Sequence, residues 1–326
     1  MLEVRDLSIS FRLAGGGRVN ITRKLNFRIG AGERLGVVGE SGCGKTVTGL
    51  SVLRLLPEAH VQIDGQVLFE GQDLLKLPET GMRAIRGRDI AMIFQEPMTA
   101  LDPVFTVGEQ IAEAYRTHFP VSRAEARERA IEGLAKVGIP LPARRVDEYP
   151  HQFSGGMRQR VMIAMALVCE PRLLIADEPT TALDVTVQAQ ITDLLRDLSD
   201  RAGTALMFIT HDLGVVAEVC TRMVTMYAGE IVEDAPVDDA LTRPRHPYTS
   251  GLLRSLPRLA KHREALPSIR GRVPSPSEMP PGCRFRARCD HALPACAGEQ
   301  VAAEVSPGHQ ARCMRAVDLQ LPGVVA

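Results

Sequence analysis

The chain has 326 residues, with 39 lysines and arginines against 39 aspartates and glutamates, and 45% of its residues are apolar. That apolar content can fill one large core or two smaller ones, and the zero net charge argues against a dedicated nucleic-acid binder, which is basic overall. No apolar run reaches the roughly 18 residues that a membrane-spanning helix needs.

Met1 to Phe11 carries acids and alternates like a strand rather than like a secretion signal, which sets the expectation of a cytosolic chain. Leu35–Gly39 reads as a short strand, and Lys45–Leu56 as a helix stopped by Pro57. Arg123–Gly138 is expected to be helical, with Ala126, Ala130, Ile131, Leu134 and Val137 on one face. Gly156–Cys169 is a second helix, nearly continuously apolar from Val161 to Val168. Leu173–Ala176 and Ala205–Thr210 read as buried strands that end at Asp177 and before His211. Apolar strands followed by polar residues suggest an α/β body with a mostly parallel sheet and ligands at the strand C-termini. Near residue 236 the composition changes. Twelve of the 22 prolines fall in the last 91 residues, and from Leu241 to Arg288 11 basic residues face two acids, Glu264 and Glu278. The expected organisation is a body over 1–235 and a basic, proline-rich extension over 236–326 that lacks a core of its own.

The strongest motif is Gly39-Glu40-Ser41-Gly42-Cys43-Gly44-Lys45-Thr46, which fits the phosphate-loop pattern G-x-x-x-x-G-K-[ST]. The glycines let successive backbone N–H groups turn toward the phosphates of a nucleotide at the positive end of the following helix. Lys45 supplies a point charge and Thr46 a hydroxyl for Mg²⁺; Cys43 occupies a variable position and is given no catalytic role. Leu173-Leu174-Ile175-Ala176-Asp177-Glu178 matches a Walker B strand, so Asp177 is expected to hold Mg²⁺ through water and Glu178 to act as general base toward the attacking water. Phe11 is a candidate stacking platform for adenine, with a core role equally open.

Phe153-Ser154-Gly155-Gly156-Met157-Arg158-Gln159-Arg160 resembles the ABC signature motif, in a variant form. Gln95 in Ile93-Phe94-Gln95-Glu96-Pro97 is similar to that family's Q-loop, Ala182-Leu183-Asp184 to its D-loop, and His211 in Ile209-Thr210-His211-Asp212 to its switch histidine. The resemblance implies a P-loop NTPase cassette with a mixed, mostly parallel sheet and a helical subdomain at about 100–168. It also implies a head-to-tail dimer in which Ser154, Gly155, Gly156 and Asp184 serve the partner's ATP. In that scheme His211 contacts the γ-phosphate and positions water, and Gln95 senses Mg²⁺. Arg245-His246-Pro247-Tyr248-Thr249, Gly271-Arg272-Val273-Pro274-Ser275-Pro276 and Pro281 to Cys289 are similar to the C-terminal extension of oligopeptide/dipeptide importer ATPases. This second resemblance implies a peripheral subunit on the cytoplasmic face of the bacterial inner membrane. Its partners would be a second ABC ATPase, two transmembrane permeases and, through them, an extracytoplasmic peptide-binding protein. The cargo stays open between peptides, nickel, glutathione and other small solutes. A soluble ABC-type ATPase acting on nucleic acid or ribosomes is the alternative, against which stand the single cassette and the lack of base-stacking aromatics, Phe285 being the only aromatic after Tyr248.

Cys283-x5-Cys289-x6-Cys296-x16-Cys313 crowds the extension, with His291 and His309 nearby in sequence. In a cytosolic chain a disulfide pair is the weakest reading. Structural zinc usually shows tight C-x2-4-C pairs, absent here, whereas wide, unequal gaps suit a four-iron cubane. Members of the importer family can carry a 4Fe–4S cluster in this region. The favoured reading is therefore a metal-binding extension with a 4Fe–4S cluster on the four cysteines, zinc being the alternative.

Overall fold

The computed structural model describes the chain except residues 14, 96–99, 182, 257–267 and 325–326. In chain order the elements are β1 (Leu2–Arg12), β2 (Arg18–Ile29), β3 (Arg34–Val38), α1 (Lys45–Val52), β4 (Val61–Phe69), β5 (Gln72–Asp73), α2 (Glu79–Ile85), β6 (Ile90–Ile93), α3 (Val107–Arg116), α4 (Arg123–Lys136), α5 (Pro142–Arg145) and α6 (Gly155–Leu167). They continue as β7 (Leu173–Asp177), α7 (Val185–Ala202), β8 (Ala205–Ile209), α8 (Leu213–Val219), β9 (Arg222–Tyr227), β10 (Glu230–Pro236), α9 (Val237–Thr242), α10 (Pro247–Arg254), β11 (Ala303–Ser306) and β12 (His309–Ala311). Two compact units result: Met1–Ile29 with Leu35–Leu75 and Thr210–Ala326, and Gly30–Arg34 with Lys76–Ile209.

In the first unit, an antiparallel sheet runs β2-β1-β4-β5. Leu2, Val4, Leu7 and Ile9 of β1 are all buried. They can be so despite the odd step from Val4 to Leu7 because the strand bulges there, with Asp6 at φ 49°. The bulge presses the carbonyls of Arg5 and Asp6 against Gly65, where a Cβ would lie 2.6 and 2.7 Å from them, so only glycine fits. In the same unit β3 pairs in parallel with β9, and β9 pairs antiparallel with β10. The short hairpin β11–β12 then continues from β10.

The helix before the first strong turn is shorter than the sequence suggests. It ends at Val52, because Leu53 leaves helical geometry and Arg54 takes a left-handed conformation at φ 50°; Pro57 restricts only the residue before it. The extension, too, differs from expectation. It shares an aromatic core in which Tyr227, Tyr248 and Phe285 lie with ring centroids 4.7 to 5.3 Å apart, flanked by Leu252, Ile269, Val273, Met279, Cys283 and Cys289. Edge-on aromatic contacts of this kind add to the burial of the rings themselves. Next to this core the carboxylate of Glu233, 1% exposed, accepts from the amides of Arg245 (2.6 Å) and His246 (3.0 Å) and lies 2.7 Å from His309 Nε2.

In the second unit, β8, β7 and β6 lie side by side in parallel. Every residue of the three is buried, which is why they read as unbroken apolar runs. Helices α3, α4 and α6 pack on one another. Ala126, Ala130, Leu134 and Val137 are buried as the periodicity predicts, while Ile131 is half-buried. Local caps set the helix starts: Thr106 and Glu109 form a capping box, and Ser122, Ser154 and Asp184 each accept from a first-turn amide.

Candidate functional site

The phosphate loop follows β3 in the first unit. Gly39, Gly42 and Gly44 have φ of 152°, 79° and 101°. A Cβ on Gly39 would meet the Met226 carbonyl oxygen at 2.2 Å, and one on Gly44 would meet Thr22 Cγ2 at 2.8 Å. Gly42 and Ser41 are exposed. The backbone thus curls in a way that side chains would forbid. Lys45, 5% exposed, donates from Nζ to the carbonyls of Gly39 (2.8 Å) and Glu40 (3.2 Å), and Thr46 lies in the first turn of α1. Cys43 is buried, and burial pushes its thiol pKa upward, so it is a packed neutral thiol. The Glu40 amide donates to Tyr248 Oη at 2.9 Å, and its carboxylate forms a two-pronged ion pair with Arg288. Phe11 sits half-buried near the end of β1, opposite Val19 and Val61. His211 is exposed ahead of α8, which Asp212 caps through the amides of Gly214 and Val215.

In the second unit, β7 delivers Asp177, 2% exposed, and Glu178 at its C-terminal end. Glu178 adopts a left-handed φ of 44°, a strained conformation for a non-glycine residue, and its amide donates to the Ile209 carbonyl at 2.8 Å. Its Oε2 accepts from Thr181 Oγ1 at 2.9 Å and lies 3.4 Å from Gln95 Nε2. The structure therefore brings Gln95 and Glu178 together, and adds Thr181, which the sequence reading missed; an acid followed three residues on by a threonine was the only available signal. Ser154 is exposed at the start of α6, its Oγ accepting from the Met157 amide at 3.4 Å. A Cβ on Gly155 would meet nothing within 4 Å, whereas one on Gly156 would meet Val187 Cγ1 at 2.7 Å. Asp184 Oδ1 accepts from the amide of that same Val187 at 2.9 Å. Glu96, Pro97 and Ala182, quoted in two of the motifs, lie outside the described residues.

The four cysteines of the extension are free thiols that line one small cavity together with His246 and His291. Cys283 donates its amide to the Cys296 carbonyl at 2.9 Å, and Cys296 Sγ lies 3.4 Å from the Leu293 amide. Burial, with the neighbouring thiols adding, pushes Cys283 up to about 11; Cys289 and Cys313 are raised for the same reasons. Among the described residues no group of three or more His, Cys, Asp or Glu side chains stands in metal-ligand geometry. His309 is engaged by Glu233 and so takes no part in the thiol cavity.

Residues 22–181 match the family model of the ABC transporter, and residues 232–296 that of the oligopeptide/dipeptide transporter C-terminal region. A Sinorhizobium fredii (strain NBRC 101917 / NGR234) protein named "Probable peptide ABC transporter ATP-binding protein y4tR" is 57% identical over 97% of this chain and 95% of its own length. A Brucella abortus (strain 2308) protein, named provisionally as a peptide import ATP-binding protein, is 50% identical over 96% of this chain and 94% of its own. Among solved structures, the dimeric post-hydrolysis state of the ATP-binding cassette MJ0796 bound to ADP and Pi aligns with a TM-score of 0.65 at 26% identity. That alignment spans 73% of this chain and 99% of that one. The fold is that of the P-loop ABC ATPase cassette. The chain belongs to the ATP-binding proteins of the ABC transporter family, in the branch that carries the oligopeptide/dipeptide transporter C-terminal region.

Proposed function

We propose that this chain hydrolyses ATP to energise the import of di- or oligopeptides. The observation that carries the reading of the site is the convergence of Gln95 and Thr181 on the carboxylate of Glu178 at the end of β7. The named relatives support the peptide cargo over nickel, glutathione or a ribosomal role.

In this reading the amides of Gly39–Thr46 and the ammonium of Lys45 bind the phosphates of ATP. Glu178 takes the proton of the attacking water, while Gln95 and Thr181 hold its carboxylate in one orientation. His211 positions that water against the γ-phosphate. Thr46, Asp177 and Gln95 present hydroxyl, carboxylate and amide oxygens, a hard donor set that suits Mg²⁺; bound there, the ion offsets charge on the phosphates. Phe11 stacks on adenine. Ser154, Gly155, Gly156 and Asp184 serve the nucleotide of a second cassette, the exposure of Ser154 and Gly155 leaving them available to it.

Residues 1–235 form the ATPase domain, with a helical subdomain at about 100–168, and 236–326 the extension. The chain sits at the cytoplasmic face of the membrane against two permeases, through which an extracytoplasmic peptide-binding protein delivers the substrate. No helix among the described residues is long and apolar enough to cross a membrane, which accords with a peripheral subunit. The four cysteines would hold a 4Fe–4S cluster, zinc being the alternative: their thiols line one cavity, and burial together with the neighbouring thiols raises the pKa of Cys283, Cys289 and Cys313, a cost that a cationic centre would relieve.

The test is Glu178→Gln in the chain paired with its partner cassette. ATP binding should persist and stabilise the dimer, while turnover falls by about 10²- to 10⁴-fold, the range for loss of a general base. Turnover at the unsubstituted rate would remove Glu178 from this role.

A further inference from the structure

The phosphate loop carries one charge of the wrong sign. Glu40 follows its first glycine, and an ionised carboxylate beside a polyphosphate repels it. We propose that Arg288, from the C-terminal extension, is a positioning residue for the nucleotide: it neutralises Glu40 and fixes the start of the loop. The inference rests on the reading of Gly39–Thr46 as the nucleotide site.

The ion pair is built in detail. Arg288 Nη1 meets Glu40 Oε2 at 2.6 Å and Nη2 meets Oε1 at 2.9 Å, the parallel fork that only a guanidinium makes. Its Nε donates to the Arg270 carbonyl at 2.9 Å, and its head lies 5.7 Å from the Tyr227 ring centroid and 6.0 Å from that of Phe285. The arginine side chain is 6% exposed and the glutamate 29%. Nε, Nη1 and Nη2 of the guanidinium and its two faces are thus committed within the protein. Arg288 is therefore poised to cancel the carboxylate rather than to reach for phosphate. Tyr248 acts on the same residue from α10, its Oη accepting from the Glu40 amide. Tyr248 and Arg288, both far from the loop in sequence, thus converge on Glu40, and Tyr227 Oη lies 3.5 Å from Arg288 Nη1 behind that pair. This arrangement ties nucleotide affinity to a part of the chain outside the ATPase motifs.

Arg288→Met keeps an unbranched stem over the two rings and removes the charge. Measured by calorimetric titration of the full chain with ATP and Mg²⁺, it should weaken affinity about tenfold, the scale of one uncompensated unit charge at a partly solvated site. Arg288→Lys, which retains charge but not the fork, should fall between. The double variant Arg288→Met with Glu40→Gln should bind ATP within about threefold of Glu40→Gln alone, because no carboxylate is left to neutralise. Affinity of Arg288→Met equal to that of the unsubstituted chain would overturn the proposal. So would a double variant as weak as Arg288→Met, since that pattern belongs to a purely structural prop. Lys45→Ala separates the two levels of the reading: if it leaves ATP affinity intact, the nucleotide-site assignment itself falls.

Discussion

The two signature glycines face different constraints, and a pair of alanine substitutions separates them. Gly156→Ala places a Cβ 2.7 Å from Val187 Cγ1, closer than such atoms approach, and overpacking of this kind costs about 1–3 kcal/mol. Both glycines stand in the first turn of α6 at ordinary negative φ, so alanine also gains about 0.5–1 kcal/mol of helix propensity. The net for Gly156→Ala is then a loss of up to about 2.5 kcal/mol. In the Val187→Ala background the obstructing methyl is gone, and the same substitution should change sign to a gain of up to about 1 kcal/mol. Gly155→Ala meets nothing within 4 Å and should be neutral or slightly stabilising in either background. Urea unfolding of the four combinations of Gly156→Ala and Val187→Ala gives the coupling directly. Equal destabilisation by Gly156→Ala in both backgrounds would refute the steric account. Turnover adds a second axis: because Gly155 is proposed to serve the partner's nucleotide, Gly155→Ala should lower ATPase activity without lowering the unfolding midpoint.

Gly39→Ala should abolish ATP binding in a chain that retains native circular dichroism, since its Cβ would fall 2.2 Å from the Met226 carbonyl and the loop must shift; affinity within twofold of the parent would show that the loop tolerates the move. Protein purified without oxygen should carry iron, sulfide and the broad visible absorbance of an iron–sulfur cluster, all lost in Cys289→Ser; stoichiometric zinc alone would select the other metal.

What could be read from the sequence was local. The phosphate loop spans eight consecutive residues, and β7 and β8 are buried on both faces and so appear as apolar runs. Helix ends were less legible, because where α1 stops depends on Arg54 adopting a left-handed turn rather than on Pro57. The surroundings of Glu40 were not legible at all. Its partners Tyr248 and Arg288 lie 208 and 248 residues away, and nothing in G-E-S-G-C-G-K-T signals that one of its variable positions is held by a distant arginine. The aromatic core of the extension was hidden for a related reason: its rings come from the end of β9, from α10 and from the irregular segment at Phe285, which are brought together only by the fold.

The hairpin β11–β12 has a practical consequence. Strand β10 has β9 on one side, and on the other Glu233 and Asp234 pair with Ala311 and Gln310 of β12. A chain cut after residue 235 to isolate the cassette would leave that flank of β10 as an open edge, a template for aggregation. It would also strip Glu233 of the amides of Arg245 and His246 and of His309, leaving a carboxylate without the three groups that now satisfy it. Insolubility of such a truncated cassette would then report an unprotected sheet, and would say nothing about whether its ATPase motifs are sound.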